Sequence, residues 1–275
     1  MSNIITLITD FGLNDPDVGV MKGVMLGISP QAVIVDISHA IEPQNIHQAA
    51  FVLSTAYQFF PQGTIHVVVV DPGVGSRRRA IILRTPSAYF VAPDNGVLSY
   101  ILAPASATSY GPEPEERELG PELEAIVLTT PRFWRHPVSS TFHGRDIFAP
   151  VAASLSLGIP LHEFGEAVHS LLAFSPSRPF VDAAGATIGH IIYIDRFGNL
   201  ITDVSGNDLP QGDVLIEICH RGIKGLSPSY AGGEELLALI NSSGNLEIAA
   251  KNKSAAEMLK AKIGDEVRIK GGSSG

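Results

Sequence analysis

Four consecutive valines, Val67 to Val70, run straight into Asp71-Pro72-Gly73, and three arginines follow at positions 77–79. An unbroken β-branched run of this length reads as a strand buried on both faces, at the centre of a covered sheet. Pro72, Gly73 and Gly75 force that strand into a tight turn. The strand therefore delivers a carboxylate to its C-terminal edge, beside bent backbone and guanidinium groups. Open α/β sheets build their ligand sites at that edge. The same residues also fit a plain Asp-Pro turn with a solvated basic patch, and the pattern alone does not choose between the two.

The surrounding periodicity supports a covered sheet. Strands are expected over 4–9, 33–36, 64–70, 80–85 and 89–91, with helices over 17–28 and 46–60 and a short one ending at Leu102. This alternation predicts an α/β fold with a largely parallel sheet. Residues 103–138 lose periodicity except at 125–128. Most of this stretch is expected to be surface loop, with Phe133 and Trp134 anchoring its end. A helix resumes over 146–157. Beyond Ser175-Pro-Ser-Arg-Pro179 the pattern changes to short strands over 187–194, 200–202, 213–218, 221–223, 246–250 and 266–269, which predicts a small β-barrel-like domain. The expected division is an α/β domain over 1–179 and the barrel over 180–270.

Composition narrows the function class. With 275 residues, 45% of them hydrophobic, the chain can bury one large core and a smaller one. A net charge of −9, with no long basic run, argues against nucleic acid. No apolar run is long enough to cross a bilayer. The single cysteine, Cys219, leaves no intrachain disulfide and no Cys-based zinc site. It suits a reducing compartment. The sequence opens on a strand without a basic, apolar leader, so a cytoplasmic location is expected.

Five phrases occur in order: Thr9-Asp10-Phe11-Gly12, Asp71-Pro-Gly-Val-Gly-Ser-Arg-Arg78, Pro93-Asp-Asn95-Gly, Ser140-Thr-Phe-His143-Gly-Arg-Asp146 and Asp195-Arg-Phe197-Gly-Asn199. Together they resemble the S-adenosyl-L-methionine (SAM) hydroxide adenosyltransferase family, the hydrolytic relatives of fluorinase and chlorinase. The resemblance covers nearly the whole chain. It implies attack of water or hydroxide on C5′ of SAM, releasing methionine and adenosine, with SAM as substrate and no separate cofactor or metal. It also implies a homotrimer whose site lies between subunits.

Carried over by position, the resemblance assigns Asp71, Arg78 and His143 to the water. Arg77 and Arg79 are equally available by composition, and the family spacing selects Arg78. Asp10 is implied as the ribose acceptor, with Asn95 helping to shape the pocket. Asp195, Phe197 and Asn199 are implied as methionine and adenine contacts. Ser242 and Ser243 match the family's carboxylate-binding segment loosely, because Ser243 stands where fluorinases carry arginine. Each residue type suits its task. A carboxylate or imidazole orients water and accepts its proton, and a guanidinium steadies developing hydroxide. Either Asp71 or His143 can take the proton on this reading.

Three rivals remain open. A halogenase of the same superfamily needs a halide pocket that an ionised Asp71 would repel. A metal phosphohydrolase would draw ligands from Asp10, Asp71, Asp94, Asp146 and His143, whose spacing lacks a metal motif. A non-catalytic nucleoside binder would hold the ligand without releasing methionine.

Overall fold

The computed structural model describes residues 3–102, 111–232 and 235–271. They form two compact units, one reaching to Ser175 and one beginning at Pro176. No helix among the described residues is long and apolar enough to cross a membrane.

The first unit contains nine strands: β1 (Ile4–Thr9), β2 (Val33–Ser38), β3 (Thr64–Val69), β4 (Ala80–Arg84), β5 (Ala88–Pro93), β6 (Gly111–Glu118), β7 (Glu124–Leu128), β8 (Gly165–Val168) and β9 (Ser170–Ser175). Its main sheet has the order β2-β1-β3-β5-β4-β7-β8. The first four of these strands are parallel, and β4, β7 and β8 extend the sheet antiparallel. The valine run lies at the centre and is buried throughout. Period-2 alternation splits it between two faces. Val67 and Val69 belong to the core cluster that includes Met21 and Met25 of α1 (Asp17–Ile28), whereas Val68 and Val70 belong to the one that includes Ala49 and Leu53 of α2 (Ile46–Ala56). A short helix, α3 (Ser99–Leu102), follows β5, and α4 (Ala149–Ser156) packs on the α1 side. Helices on both faces explain why this strand carries no polar residue between Val67 and Val70.

Two sequence expectations are corrected in this unit. The helix expected over 46–60 ends at Ala56 and tightens into a 3₁₀ turn over Tyr57–Phe59. Part of the loop expected over 103–138 is a strand. β6 pairs antiparallel with β9, matching Glu116 to Leu172 and Arg117 to Leu171. The glutamates of β6 gave no apolar alternation, and the ladder depends on a partner more than fifty residues away. Residues 103–110 of the expected loop lie outside the described residues. Phe133 and Trp134 do pack against the α1-side core, as an anchor would.

The second unit is antiparallel: β10 (Phe180–Val181), β11 (Thr187–Ile194), β12 (Leu200–Ser205), β13 (Val214–Ile218), β14 (Arg221–Lys224), β15 (Leu236–Ile240), β16 (Asn245–Ala250) and β17 (Glu266–Gly271). Its order is β14-β13-β17-β11-β12-β16-β15, with β10 beside β11. The Ser227 amide, just past β14, donates to the Ala238 carbonyl in β15 and nearly closes the barrel. Ile191, Leu200, Ile216, Ile248 and Val267 fill the interior. A short helix, α5 (Ala255–Leu259), starts at a Ser254 cap. Neither β15 nor α5 was expected from sequence. The all-apolar run of β15 has no alternation because both its faces are buried.

Candidate active site

Asp71 follows the buried end of β3, and Asp10 follows β1. Thr9 lies in register with Val69, so the two carboxylates leave neighbouring parallel strand ends. The turn after Asp71 closes with amide bonds from Val74 to the Asp71 carbonyl and from Ser76 to the Gly73 carbonyl. Gly75 has φ +77°, and a Cβ there would stand 2.3 Å from the Ser140 carbonyl oxygen. That close approach seats the Asp71 turn against the segment leading to His143.

Arg78 joins the group. Its Nε lies 2.9 Å from both Asp71 oxygens, and its Nη2 also donates to Oδ2. The same Nη2 reaches Nδ1 of His143 at 2.7 Å. Both members of the ion pair are enclosed, with side-chain exposures of 10% for Arg78 and 5% for Asp71. The Phe148 ring supports the guanidinium from 5.2 Å. A guanidinium only donates, so Nδ1 must be the acceptor. His143 is therefore neutral, with its proton on Nε2. Burial, and next the charge of Arg78, hold its pKa below the ordinary histidine value. The lone pair of His143 is committed to Arg78, while the carboxylate of Asp71 keeps unused lone pairs.

His143 sits at the start of a π-helical turn, Gly144–Phe148, that leads into α4. Gly144 is closely packed. A Cβ there would lie 3.1 Å from Met21 Sδ and 3.2 Å from the Phe142 ring. Asp146, fully buried, accepts Nε of Arg145 at 2.7 Å and the Ser139 amide at 2.8 Å, which pins the loop before His143.

Asp10 and Asn95 differ in how far their side chains are committed within the protein. Asp10 accepts the Gln44 amide on Oδ2 at 2.8 Å, and its other oxygen has no partner among the described residues. Asn95 donates Nδ2 to the Val70 carbonyl at 3.0 Å and accepts the Val97 amide on Oδ1 at 3.1 Å. Its amide thus holds the main chain immediately before Asp71.

Within the barrel unit, a pocket of about 760 Å³ is lined by Asp195, Phe197, Asn199, Tyr230 and Leu237, among others. Asp195 organises its own turn. Its Oδ1 accepts the Phe197 amide at 2.8 Å and the Asn199 amide at 2.9 Å, and its Oδ2 accepts Nδ2 of Asn199 at 2.9 Å. Gly198, at φ +82°, lets this turn lie against Ser254. The turn leaves the Phe197 ring 79% exposed. Ser242 and Ser243 are exposed at the tip of the β15–β16 hairpin and do not line this pocket. The hairpin turn is held by Asn241, whose Oδ1 accepts the Ser243 and Asn245 amides.

Among the described residues, no three His, Cys, Asp or Glu side chains converge as a metal site. The carboxylates considered for one are committed separately: Asp71 to Arg78, Asp94 to Arg79 and the Leu172 amide, Asp146 to Arg145.

The profile of the SAM hydroxide adenosyltransferase N-terminal domain matches residues 5–165, and that of the C-terminal domain matches residues 189–268. The chain belongs to the SAM hydroxide adenosyltransferase family. It is 34% identical to an (R)-S-adenosyl-L-methionine hydrolase of Methanocaldococcus jannaschii, over 97% of this chain and 95% of that protein. A fluorinase of Nocardia brasiliensis is more distant, at 27% identity over 98% and 97%. A solved structure of a conserved Thermotoga maritima protein superposes with a TM-score of 0.83 at 35% identity, covering 97% of this chain and 99% of that one.

In this SAM hydroxide adenosyltransferase, several residues that shape the first unit's loops or border the barrel pocket are not marked by the motifs. Asp94, named above only among possible metal ligands, ties Arg79 and the Leu172 amide of β9 to the turn after β5, and Asp146 fixes the loop before His143. Tyr230 and Glu247 were not singled out. A tyrosine followed by Ala-Gly-Gly offered one signal, an aromatic at a loop. Glu247 offered another, a charge inside an otherwise apolar strand.

Proposed function

We propose that this SAM hydroxide adenosyltransferase hydrolyses S-adenosyl-L-methionine at C5′, giving adenosine and L-methionine. The single observation carrying the reading is the enclosed Asp71–Arg78–His143 group at a strand end. The sulfonium departs as a neutral thioether, so no general acid is needed on the methionine side. The difficult part is a competent, in-line nucleophile. An oxygen lone pair of water forms the bond to C5′ while the C5′–S electrons return to sulfur.

In this mechanism Asp71 accepts a hydrogen bond from the attacking water and takes its proton as the bond forms. Arg78 fixes the carboxylate and stabilises hydroxide character on the oxygen. Neutral His143 offers Nε2–H as a donor. The reaction consumes opposite charge, so an enclosed, poorly hydrated site favours it. SAM is the substrate, and the reading calls on no separate cofactor. Asp10, with one carboxylate oxygen free, suits the ribose hydroxyls.

The name of the Methanocaldococcus relative specifies the (R) sulfonium epimer, which makes that epimer the first substrate to test. The family resemblance further supports a homotrimer, and composition supports a cytoplasmic protein without nucleic-acid or membrane partners. Light scattering on the purified protein checks the assembly, and a mass other than three chains would refute it.

Hydrolysis is tested by incubating the protein with each SAM epimer in oxygen-18 water, beside an Asp71→Asn sample. The expected result is labelled adenosine with equimolar methionine, both lost in the variant. Halogenated nucleoside in the presence of chloride would make the chain a halogenase. Nucleoside binding without methionine release would make it a binder.

A further inference from the structure

The turn Thr9-Asp10-Phe11-Gly12 is held at both ends by one residue, His39, which directly follows β2. Its Nδ1 lies 2.9 Å from Thr9 Oγ1, and its carbonyl accepts the Gly12 amide at 2.8 Å. His39 is 5% exposed and Thr9 is wholly buried, so the contact between their side chains is shielded from water. Thr9 Oγ1 also accepts the Phe11 amide at 3.3 Å. These contacts bracket Asp10 on both sides, and the Gln44 amide, from the chain beyond His39, holds its Oδ2.

The other side of the ring sets the direction of the bond to Thr9. Nε2 lies 3.0 Å from Asp36 Oδ1, close enough for attraction though without hydrogen-bond alignment. Asp36 is paired in turn with Lys22 Nζ at 2.6 Å. A carboxylate beside Nε2 favours the ring proton there, which leaves the Nδ1 lone pair to accept the Thr9 hydroxyl. Thr9 Oγ1 then donates to His39 and accepts from Phe11, one proton and one lone pair used without conflict. Removing the imidazole would leave a buried hydroxyl unpaired and the turn loose at that end.

We propose that His39 is a positioning residue for Asp10: it fixes the turn so that the free carboxylate oxygen meets the ribose hydroxyls, and thereby sets selectivity for ribonucleosides over 2′-deoxyribonucleosides. The inference rests on the reading of Asp10 as the ribose acceptor. A charged acceptor discriminates through geometry, because the 2′-hydroxyl contributes its bond only when the carboxylate is held at the right distance and angle. A turn that shifts loses that bond while the other contacts of the nucleoside persist.

The test is calorimetric binding of adenosine and 2′-deoxyadenosine to the full chain, with SAM hydrolysis assayed in parallel. Wild type is expected to bind adenosine roughly tenfold or more tightly than the deoxynucleoside, the worth of one hydrogen bond to a charged group. His39→Ala should bring that ratio to within about threefold. His39→Asn sets an amide oxygen near the Nδ1 position, where it can accept from Thr9, and should keep most of the ratio. Thr9→Val removes the same bond from the other side. It should match His39→Ala, with the double variant no worse than either single one, and it carries the test if His39→Ala does not fold. Damage to packing alone would weaken both nucleosides alike. An unchanged ratio in His39→Ala or Thr9→Val would therefore overturn the inference, as would a ratio lost equally in His39→Asn. So would a wild type that hydrolyses SAM yet binds both nucleosides equally, which would remove the ribose role of Asp10 and leave the hydrolase reading intact. A wild type that neither hydrolyses SAM nor binds either nucleoside would overturn both.

Discussion

Arg78 bridges Asp71 and His143 with one nitrogen. Its Nη2 donates to Asp71 Oδ2 and lies 2.7 Å from Nδ1 of His143. This couples the imidazole's protonation to the guanidinium. Burial first, and the charge of Arg78 second, keep the His143 pKa below 6.5. Removing the charge removes one of the two depressing causes. In an NMR titration, Arg78→Gln should therefore move the His143 midpoint upward. An unchanged midpoint would mean that the guanidinium does not face the ring in solution.

The fork of Arg78 matters as well as its charge. Lysine keeps the charge but cannot contact both carboxylate oxygens and the imidazole together. Arg78→Lys should lower kcat by roughly a hundredfold, the scale of losing one oriented charge-stabilising donor, with a smaller change in KM. Steady-state kinetics on SAM decide this. A kcat within a few fold of wild type would remove Arg78 from the reaction.

Asn95 contacts main chain on both sides of its amide, at the Val70 carbonyl and the Val97 amide. Asn95→Ala removes both holds on the chain beside Asp71, and should cost about 1 kcal/mol of stability and lower kcat while leaving KM near its original value. A rise in KM with kcat unchanged would instead make Asn95 a ligand contact.

At Gly75, alanine meets two penalties: a φ of +77° and a Cβ 2.3 Å from the Ser140 carbonyl oxygen. At Gly212, φ is +88° but nothing lies within 4 Å. Gly212→Ala should cost about 1–2 kcal/mol for the left-handed backbone alone, and Gly75→Ala distinctly more, with loss of turnover. Denaturant unfolding measures both. Equal costs would show that the approach of the two loops relaxes freely.

His66 lies wholly inside the first unit, stacked on Phe90, with Thr6 Oγ1 on Nδ1 and no partner on Nε2 among the described residues. Burial lowers its pKa to about 4. The unfolded chain therefore binds a proton near pH 6.5 that the folded chain refuses until about pH 4. The stabilisation is complete above pH 6.5 and declines as pH falls through that window, by ~3 kcal/mol at roughly 1.4 kcal/mol per pH unit. His66→Phe should flatten that part of the stability curve in urea unfolding from pH 7 to 4.5. A curve as steep as wild type would assign the acid sensitivity to other groups.

The layered part of the fold was legible because its cause is local. Val67–Val70 has one solution, a strand covered on both faces, and Asp71-Pro-Gly must end it. The spacing of α1 and of the first turns of α2 needs no partner to be recognised. β6 shows where such reasoning stops. Its glutamates gain nothing as an isolated segment, and only β9 makes them a strand.

The same boundary runs through the site. The sequence by itself determined that a carboxylate would stand at the end of a central strand with arginines following, and family resemblance singled out Arg78. Only the tertiary structure decided the partners of each group. Arg78 closes on Asp71 and His143, while its neighbour Arg79 turns to Asp94 and the Ser170 carbonyl, and Arg77 stays exposed. The physical reason is that strand propensity and turn chemistry act between adjacent residues. Hydrogen bonds such as Arg78 to His143, 65 residues apart, exist only after packing has brought the segments together.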